Sequence, residues 1–206
     1  MKVNNKINYA GPLIDKSDIK YVSEAVKKGF YENYKEHATK LEAKLCNILN
    51  VKYAIALNSC TAAIHLALTS LNISKNHEVI TSDSSCVASA LPIKYVGAKA
   101  VFVDVDINTC NISPERLREA ITSKTKAIIV VHWNGIPADM KEILKIAKEY
   151  NLFVIEDSAA ALGGEFYGKK LGTIGDVGCY SFQGAKIAIG GQGGALVTNN
   201  RKIYKM

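Results

Sequence analysis

At 206 residues the chain is long enough for one ordinary domain with a sizeable core and short for two. Hydrophobic residues at 48% and charged ones at 22% describe a soluble globular protein, and a net charge of +7 favours an acidic, phosphate-bearing partner. Its lysines are scattered with no Lys/Arg block, which argues against nucleic acid, and no run reaches membrane-spanning length.

In chain order, "MKVNNKINYAGPLIDKSD" has no apolar core for a signal peptide. The pieces "DIKYVSEAVKKG" and "HATKLEAKLCNIL" read as helices, which makes residues 1–50 an N-terminal helical arm packing on a sheet or on a partner. From about residue 53 short β-rich runs alternate with helical patterns. The runs are "YAIALN", "EVITSD", "AVFVDVD", "AIIVVHW", "LFVIED", "VGCYSF" and "GALVTN", and most are too continuously apolar for half-exposed strands. Between them lie "TAAIHLALTSL", "CVASALPIKYVG", "SPERLREAI" and "DMKEILKIAKEY". In the last, Met140, Ile143, Leu144 and Ala147 form one stripe at helical spacing. Strand, helix, strand repetition implies a mostly parallel sheet. "GEFYGKKLG" reads as a hairpin or loop excursion, and "LVTNNRKIYKM" as a strand giving way to a polar segment.

Five cysteines, Cys46, Cys60, Cys86, Cys110 and Cys179, are odd in number and irregularly spaced, which favours reduced thiols in the cytoplasm. With no CxxC pair or HExxH helix, and with His37, His65, His77 and His132 isolated, no metal site is expected.

In open parallel sheets ligands sit beyond the carboxyl ends of the strands. After "YAIALN" come Ser59, Cys60 and Thr61, opening an apolar helix: an anion site, or a plain N-cap. Asp157 follows "LFVIE" and stands among small residues, as a paired buried carboxylate or as a cap. Ser181 ends "DVGCYS", to donate to the same anion or to satisfy a loop. His132 and Trp133 end another strand, where a packed or hydrogen-bonded pair is favoured over catalysis. "GGQGG" precedes a strand and no GK[ST] follows, so a nucleotide-binding loop fails on context. Lys186 is the only charged residue between Cys179 and Asn200, either a snorkelling surface lysine or an amine that attacks carbonyl carbon. An anion cradle, a strand-end carboxylate and a lysine, in that order on a parallel sheet, are the parts needed to hold pyridoxal phosphate.

The stretches "NSCTAAIHLAL", "YVGAKAVFVDVD", "PADMKEILKIAKEYNLFVIEDSAAALGG", "GKKLGTIGDVGCYSFQGAK" and "GGQGGALVTNN" resemble, in matching order, the DegT/DnrJ/EryC1/StrS family of pyridoxal-phosphate-dependent sugar aminotransferases. The resemblance runs from "GPLID" onward. It implies an α/β fold, the large domain of a fold-type-I pyridoxal-phosphate (PLP)-dependent transferase, with a mostly parallel central sheet and helices on both faces. It implies Lys186 as the Schiff-base lysine, Asp157 as the partner of the pyridine nitrogen, and Ser181 with Cys60 and Thr61 at the phosphate, beside which Ser59 is expected to bind the cofactor as part of the same turn. Cys86 stands where many members place an aromatic that stacks on the cofactor ring, and Ala160 where they place a Gln or His near the ring hydroxyl. Some members carry histidine in place of the lysine and act as dehydratases; Lys186 argues against that.

The expected activity is transfer of an amino group from an amino acid such as glutamate to a keto group on a nucleotide-linked sugar, by a cytoplasmic homodimer. Residues 51–206 are then the PLP-binding large domain. Family members run close to twice this length and carry a C-terminal small domain, which is expected to be lacking here. Two other readings stand beside this one: a truncated, catalytically incompetent remnant or dimerisation module, and a different PLP reaction on the same scaffold.

Overall fold

A computed structural model describes residues 14–28 and 33–205; the rest of the expected N-terminal arm lies outside the described residues. The first helix, α1 (Lys16–Lys28), is opened by Asp15. The Asp15 carboxylate accepts from the N–H groups of Ser17 and Asp18, while Asp18 accepts from Asp15 N–H, a reciprocal cap. Helix α2 (Glu36–Leu49) leads through Asn50, in the left-handed region, into strand β1 (Tyr53–Leu57).

Helix α3 (Cys60–Ser70), β2 (Glu78–Ser82), α4 (Val87–Tyr95), β3 (Lys99–Val103), α5 (Pro114–Glu119), β4 (Thr125–Val131), α6 (Met140–Tyr150) and β5 (Phe153–Asp157) then alternate. A small hairpin, β6 (Glu165–Phe166) with β7 (Lys169–Lys170), precedes β8 (Val177–Ser181), β9 (Gly194–Thr198) and α7 (Arg201–Lys205). All seven expected β runs are strands of one sheet, "GEFYGKKLG" is the hairpin, and the polar segment after β9 is helical.

The sheet order is β1-β9-β8-β5-β4-β2-β3. Strands β3, β2, β4, β5 and β8 pair in parallel, whereas β9 runs against both of its neighbours, β8 and β1. Every strand of the sheet except β9 therefore ends on the same edge, and β9 begins there.

The apolar runs are continuous because both faces are covered. Val79, Ile129, Ile155 and Leu196 pack against Ala63, Ile64, Ala67 and Leu68 of α3 and Ile93 of α4. The neighbours one residue away in the strands, Ile80, Ile128, Val130 and Val154, face Leu117 of α5 and Met140, Ile143 and Ile146 of α6. Each fully buried aliphatic side chain of this kind contributes roughly 1.5–3 kcal/mol of burial energy. The α6 stripe differs from its helical-spacing pattern in one place: Ile146 joins Met140, Ile143 and Ala147 in the core, and Leu144 is half-buried at its margin.

The two first helices differ. From α2, Leu45 and Leu49 pack on Tyr180, Phe182, Ala195 and Val197, so that helix belongs to the core of the sheet. Helix α1 buries no residue, and its apolar side chains Ile19, Val22 and Val26 are 61%, 64% and 65% exposed. Among the described residues no helix is long and apolar enough to cross a membrane.

Candidate active site

The strand order decides what meets at the common edge. The carboxyl ends of β1, β5 and β8 stand near the start of β9, and a cavity of about 310 Å3 opens there. Ser59, Cys60 and Thr61 from the start of α3, Asp157 from β5, Ser181 from β8, Cys86 before α4 and Lys186 all line it. Ala160 is not among its lining residues; its carbonyl lies beside Gly135, and Ala159 forms the wall instead.

Ser59 is the N-cap of α3, with extended backbone and Oγ accepting from Ala62 N–H at 3.1 Å. The N–H groups of Cys60 and Thr61 belong to the first turn, where no intrahelical acceptor is in reach. Together with the helix dipole they favour an anion at the mouth of the cavity. Gly193 and Gly194 carry the start of β9 directly over this turn, and Ser59 and Gly193 form a bridge. A Cβ on Gly194 would overlap the Ser59 carbonyl and the Cys60 nitrogen, so close backbone approach accounts for that glycine of "GGQGG", while Gly193 has a φ of 135° that favours glycine.

The Cys60 side chain turns inward, away from the anion position. Its thiol donates to Asp157 Oδ1 at 3.7 Å, so Cys60 serves the turn only through its backbone. Asp157 is 5% exposed and has neutral donors on both oxygens. Ala159 N–H donates to Oδ1 at 3.1 Å and Ser89 Oγ to Oδ2 at 2.6 Å. Burial pushes the Cys60 thiol well above its ordinary value, the Asp157 charge pushes the same way, and the nearby Lys186 opposes them. The Cys179 thiol is pushed up too, by burial first and then by Asp157 and Glu156.

Lys186 is half-buried on the segment between β8 and β9. That segment is closed on itself at its base, with Phe182 N–H donating to Gly193 O at 2.9 Å and Gly190 N–H to Phe182 O at 2.8 Å. A turn at Gln183–Lys186, with Lys186 N–H bonded to Gln183 O, aims the lysine at the cavity wall it shares with Cys60 and Asp157.

Residues beyond the motif positions complete the site. Ser89, Ala88, Ile64, Gln183 and Gln192 all line the cavity. Ser89 had one visible trait, a hydroxyl among apolar residues in "CVASALPIKYVG", and nothing local said what it would meet.

On the opposite face of β5, Glu156 is fully buried and accepts four hydrogen bonds. They come from Gly172 N–H at 2.8 Å, Ile174 and Gly175 N–H at 2.6 Å each, and His132 Nε2 at 2.9 Å. Because Ala138 N–H donates to His132 Nδ1, the ring proton sits on Nε2, facing the carboxylate. His132 is thus a hydrogen-bonded structural residue. Nearby, burial raises the Tyr180 hydroxyl's pKa, and that group donates to Leu171 O at 2.6 Å. This network pins the segment after the β6–β7 hairpin to the sheet.

The sequence pattern of the DegT/DnrJ/EryC1/StrS aminotransferase family matches residues 12–206. GDP-perosamine synthase of Escherichia coli O157:H7 is 40% identical over 193 residues, which are 94% of this chain and 53% of that protein. An aminotransferase from Psychrobacter cryohalolentis superposes with a TM-score of 0.90 at 36% identity, over 94% of this chain and 50% of its own. A Streptococcus pneumoniae protein described as a sugar aminotransferase, solved in its PLP form, gives a TM-score of 0.87 at 28% identity, over 96% and 54% of the two chains. The chain thus spans about half the length of the curated relatives it matches.

Proposed function

The chain belongs to the DegT/DnrJ/EryC1/StrS aminotransferase family, and from that premise we propose that it is the cofactor-binding large domain of a nucleotide-sugar aminotransferase. Pyridoxal phosphate is the cofactor of this family. The donor set at the common strand edge fits it: an anion-favouring helix start, a buried carboxylate that no lysine or arginine pairs with among the described residues, and a primary amine share one cavity. That convergence of Lys186, Asp157 and the α3 N-terminus is the observation that carries the reading.

When bound, pyridoxal phosphate supplies an aldehyde that takes up amino groups and a protonated ring that withdraws electrons. The chain's residues do the rest. The first-turn N–H groups of α3, with the hydroxyls of Ser59, Thr61 and Ser181, bind the phosphate. Asp157 holds a proton at the ring nitrogen through a charge-assisted bond. Lys186 holds the cofactor through Nζ and, once released, moves the proton at the α-carbon of the amino donor. Cys86 and Ala159 supply cavity wall, and Gly194 lets the backbone of β9 lie close against Ser59 and Cys60.

The substrate is proposed to be a keto-sugar linked to a nucleotide, whose diphosphate suits the net charge of +7, with an amino acid such as glutamate as donor. The uncovered apolar side of α1 supports association of two copies, and the unpaired thiols support a cytoplasmic setting. Borohydride reduction of the protein with pyridoxal phosphate, followed by mass spectrometry, tests the reading. A pyridoxyl adduct at Lys186 is expected, lost in Lys186→Ala; an adduct at Lys52, Lys169 or Lys170 instead overturns it.

A further inference from the structure

We infer that Ser89 is the positioning residue for Asp157: its hydroxyl, donated from α4, holds the carboxylate in the orientation and charge state that the cavity uses. This rests on the functional reading above.

Ser89 is 1% exposed, and its Oγ lies 2.6 Å from Asp157 Oδ2, across 68 positions of sequence. The two oxygens of Asp157 are served unequally. Oδ1 accepts Ala159 N–H and the Cys60 thiol, while Ser89 is the sole protein donor to Oδ2 among the described residues. A carboxylate oxygen has about two acceptor directions. Oδ2 therefore keeps one open on a residue that lines the cavity, and Ser89 sets how that oxygen is held. No lysine or arginine pairs with Asp157 among the described residues, so dispersal of its charge falls to these three neutral donors. Ser89 is the only hydroxyl of the three, and its bond is the shortest.

The placement also has a local cause. Helix α4 begins at Val87, so Ser89 lies in its first turn on the side facing the sheet, with Ile93 one turn on buried in the same core. A serine in a helix often bonds to its own backbone four residues back. Here no helical carbonyl lies in that direction, because the helix has only begun, and the hydroxyl is free to reach Asp157.

Without the Ser89 donor more negative charge stays on the carboxylate, and a proton shared with the ring nitrogen moves toward the oxygen. Ring-labelled 15N-pyridoxal phosphate bound to the protein reports that position by NMR, and a spectral titration reports affinity. In Ser89→Ala the ring-nitrogen signal is expected to move toward that of neutral pyridine, with affinity weakened on the order of tenfold, as for one lost bond to a charged group. Ser89→Thr, which keeps the hydroxyl, restores both; Ser89→Cys, of similar size with a weaker donor, falls between. A residue that only filled space would lower the melting temperature and leave the nitrogen signal in place. An unmoved signal in Ser89→Ala, or in Ser89→Cys should the alanine variant not fold, overturns the inference while the functional reading stands. A parent protein that takes up no pyridoxal phosphate overturns both.

Discussion

Glu156 and Asp157 are adjacent carboxylates at the end of one strand, and the two faces of β5 treat them in opposite ways. Glu156 is surrounded by four donors that use its acceptor capacity, all from the protein. Asp157 receives three donors, keeps capacity on Oδ2, and forms a wall of the cavity. A buried carboxylate is thus not informative by its burial alone. What separates a structural acid from a reactive one is whether its lone pairs are already spoken for.

That difference can be broken first at Glu156. Glu156→Ala leaves three backbone N–H groups and the His132 N–H without an acceptor, each costing about 1–3 kcal/mol, against a total stability of about 5–15 kcal/mol for a domain. Loss of cooperative thermal unfolding, read by circular dichroism, is expected. Glu156→Gln puts an amide donor against donors and should cost about 2 kcal/mol or more. A Gln variant as stable as the parent would erase the contrast.

Asp157→Asn should do the reverse. The amide keeps the shape and Oδ1, and the Ser89 hydroxyl can turn to accept, so stability should change by no more than about 1 kcal/mol in denaturant titration. On the functional reading proposed above, aminotransfer should fall by about a hundredfold or more, as when a preorganised electrostatic partner is lost. Parent-like turnover would show that the open lone pair of Asp157 is not used.

The thiols sharpen the same comparison. Cys60 and Cys179 are buried and pushed up beside Asp157, whereas Cys86 is exposed at the cavity. Because the thiolate is the reactive form, maleimide at neutral pH should label Cys86 while sparing Cys60 and Cys179 in the folded protein. Bound pyridoxal phosphate should slow that labelling. Peptide mapping reads both results.

The smallest effect on the folded chain is expected far from β5. Val22→Asp on α1 changes an exposed side chain and should alter unfolding by about 0.5 kcal/mol at most. Light scattering should nonetheless show weaker association, if the apolar side of α1 joins two copies.

Much of the fold was legible in the sequence because its signals are local. The seven β runs, the hairpin in "GEFYGKKLG" and the helical patterns follow from residue type and period over stretches of 5–15 residues. Two-face burial could be read from uninterrupted apolar runs, and the chemistry-bearing residues Ser59, Asp157 and Ser181 could be picked because they stand at or just beyond strand ends. Lys186 stood out by the lack of other charges around it. The antiparallel course of β9 was not legible, since the run "GALVTN" carries no mark of direction.

What the sequence by itself determined was which residues end the strands; which of them meet was decided by strand order and by where the helices pack on the sheet. Strand order is a property of pairing over distances of tens of residues, and no local period encodes it. Only the folded sheet brings Ser89 to Asp157 and turns the Cys60 thiol toward the same carboxylate. It also places Ala159 in place of Ala160 at the cavity and gives Glu156 its four donors. A strand's alternation sends successive side chains to opposite faces, so Glu156 and Asp157 had to differ. Which of the two would face the cavity depended on where α3 and α4 came to rest.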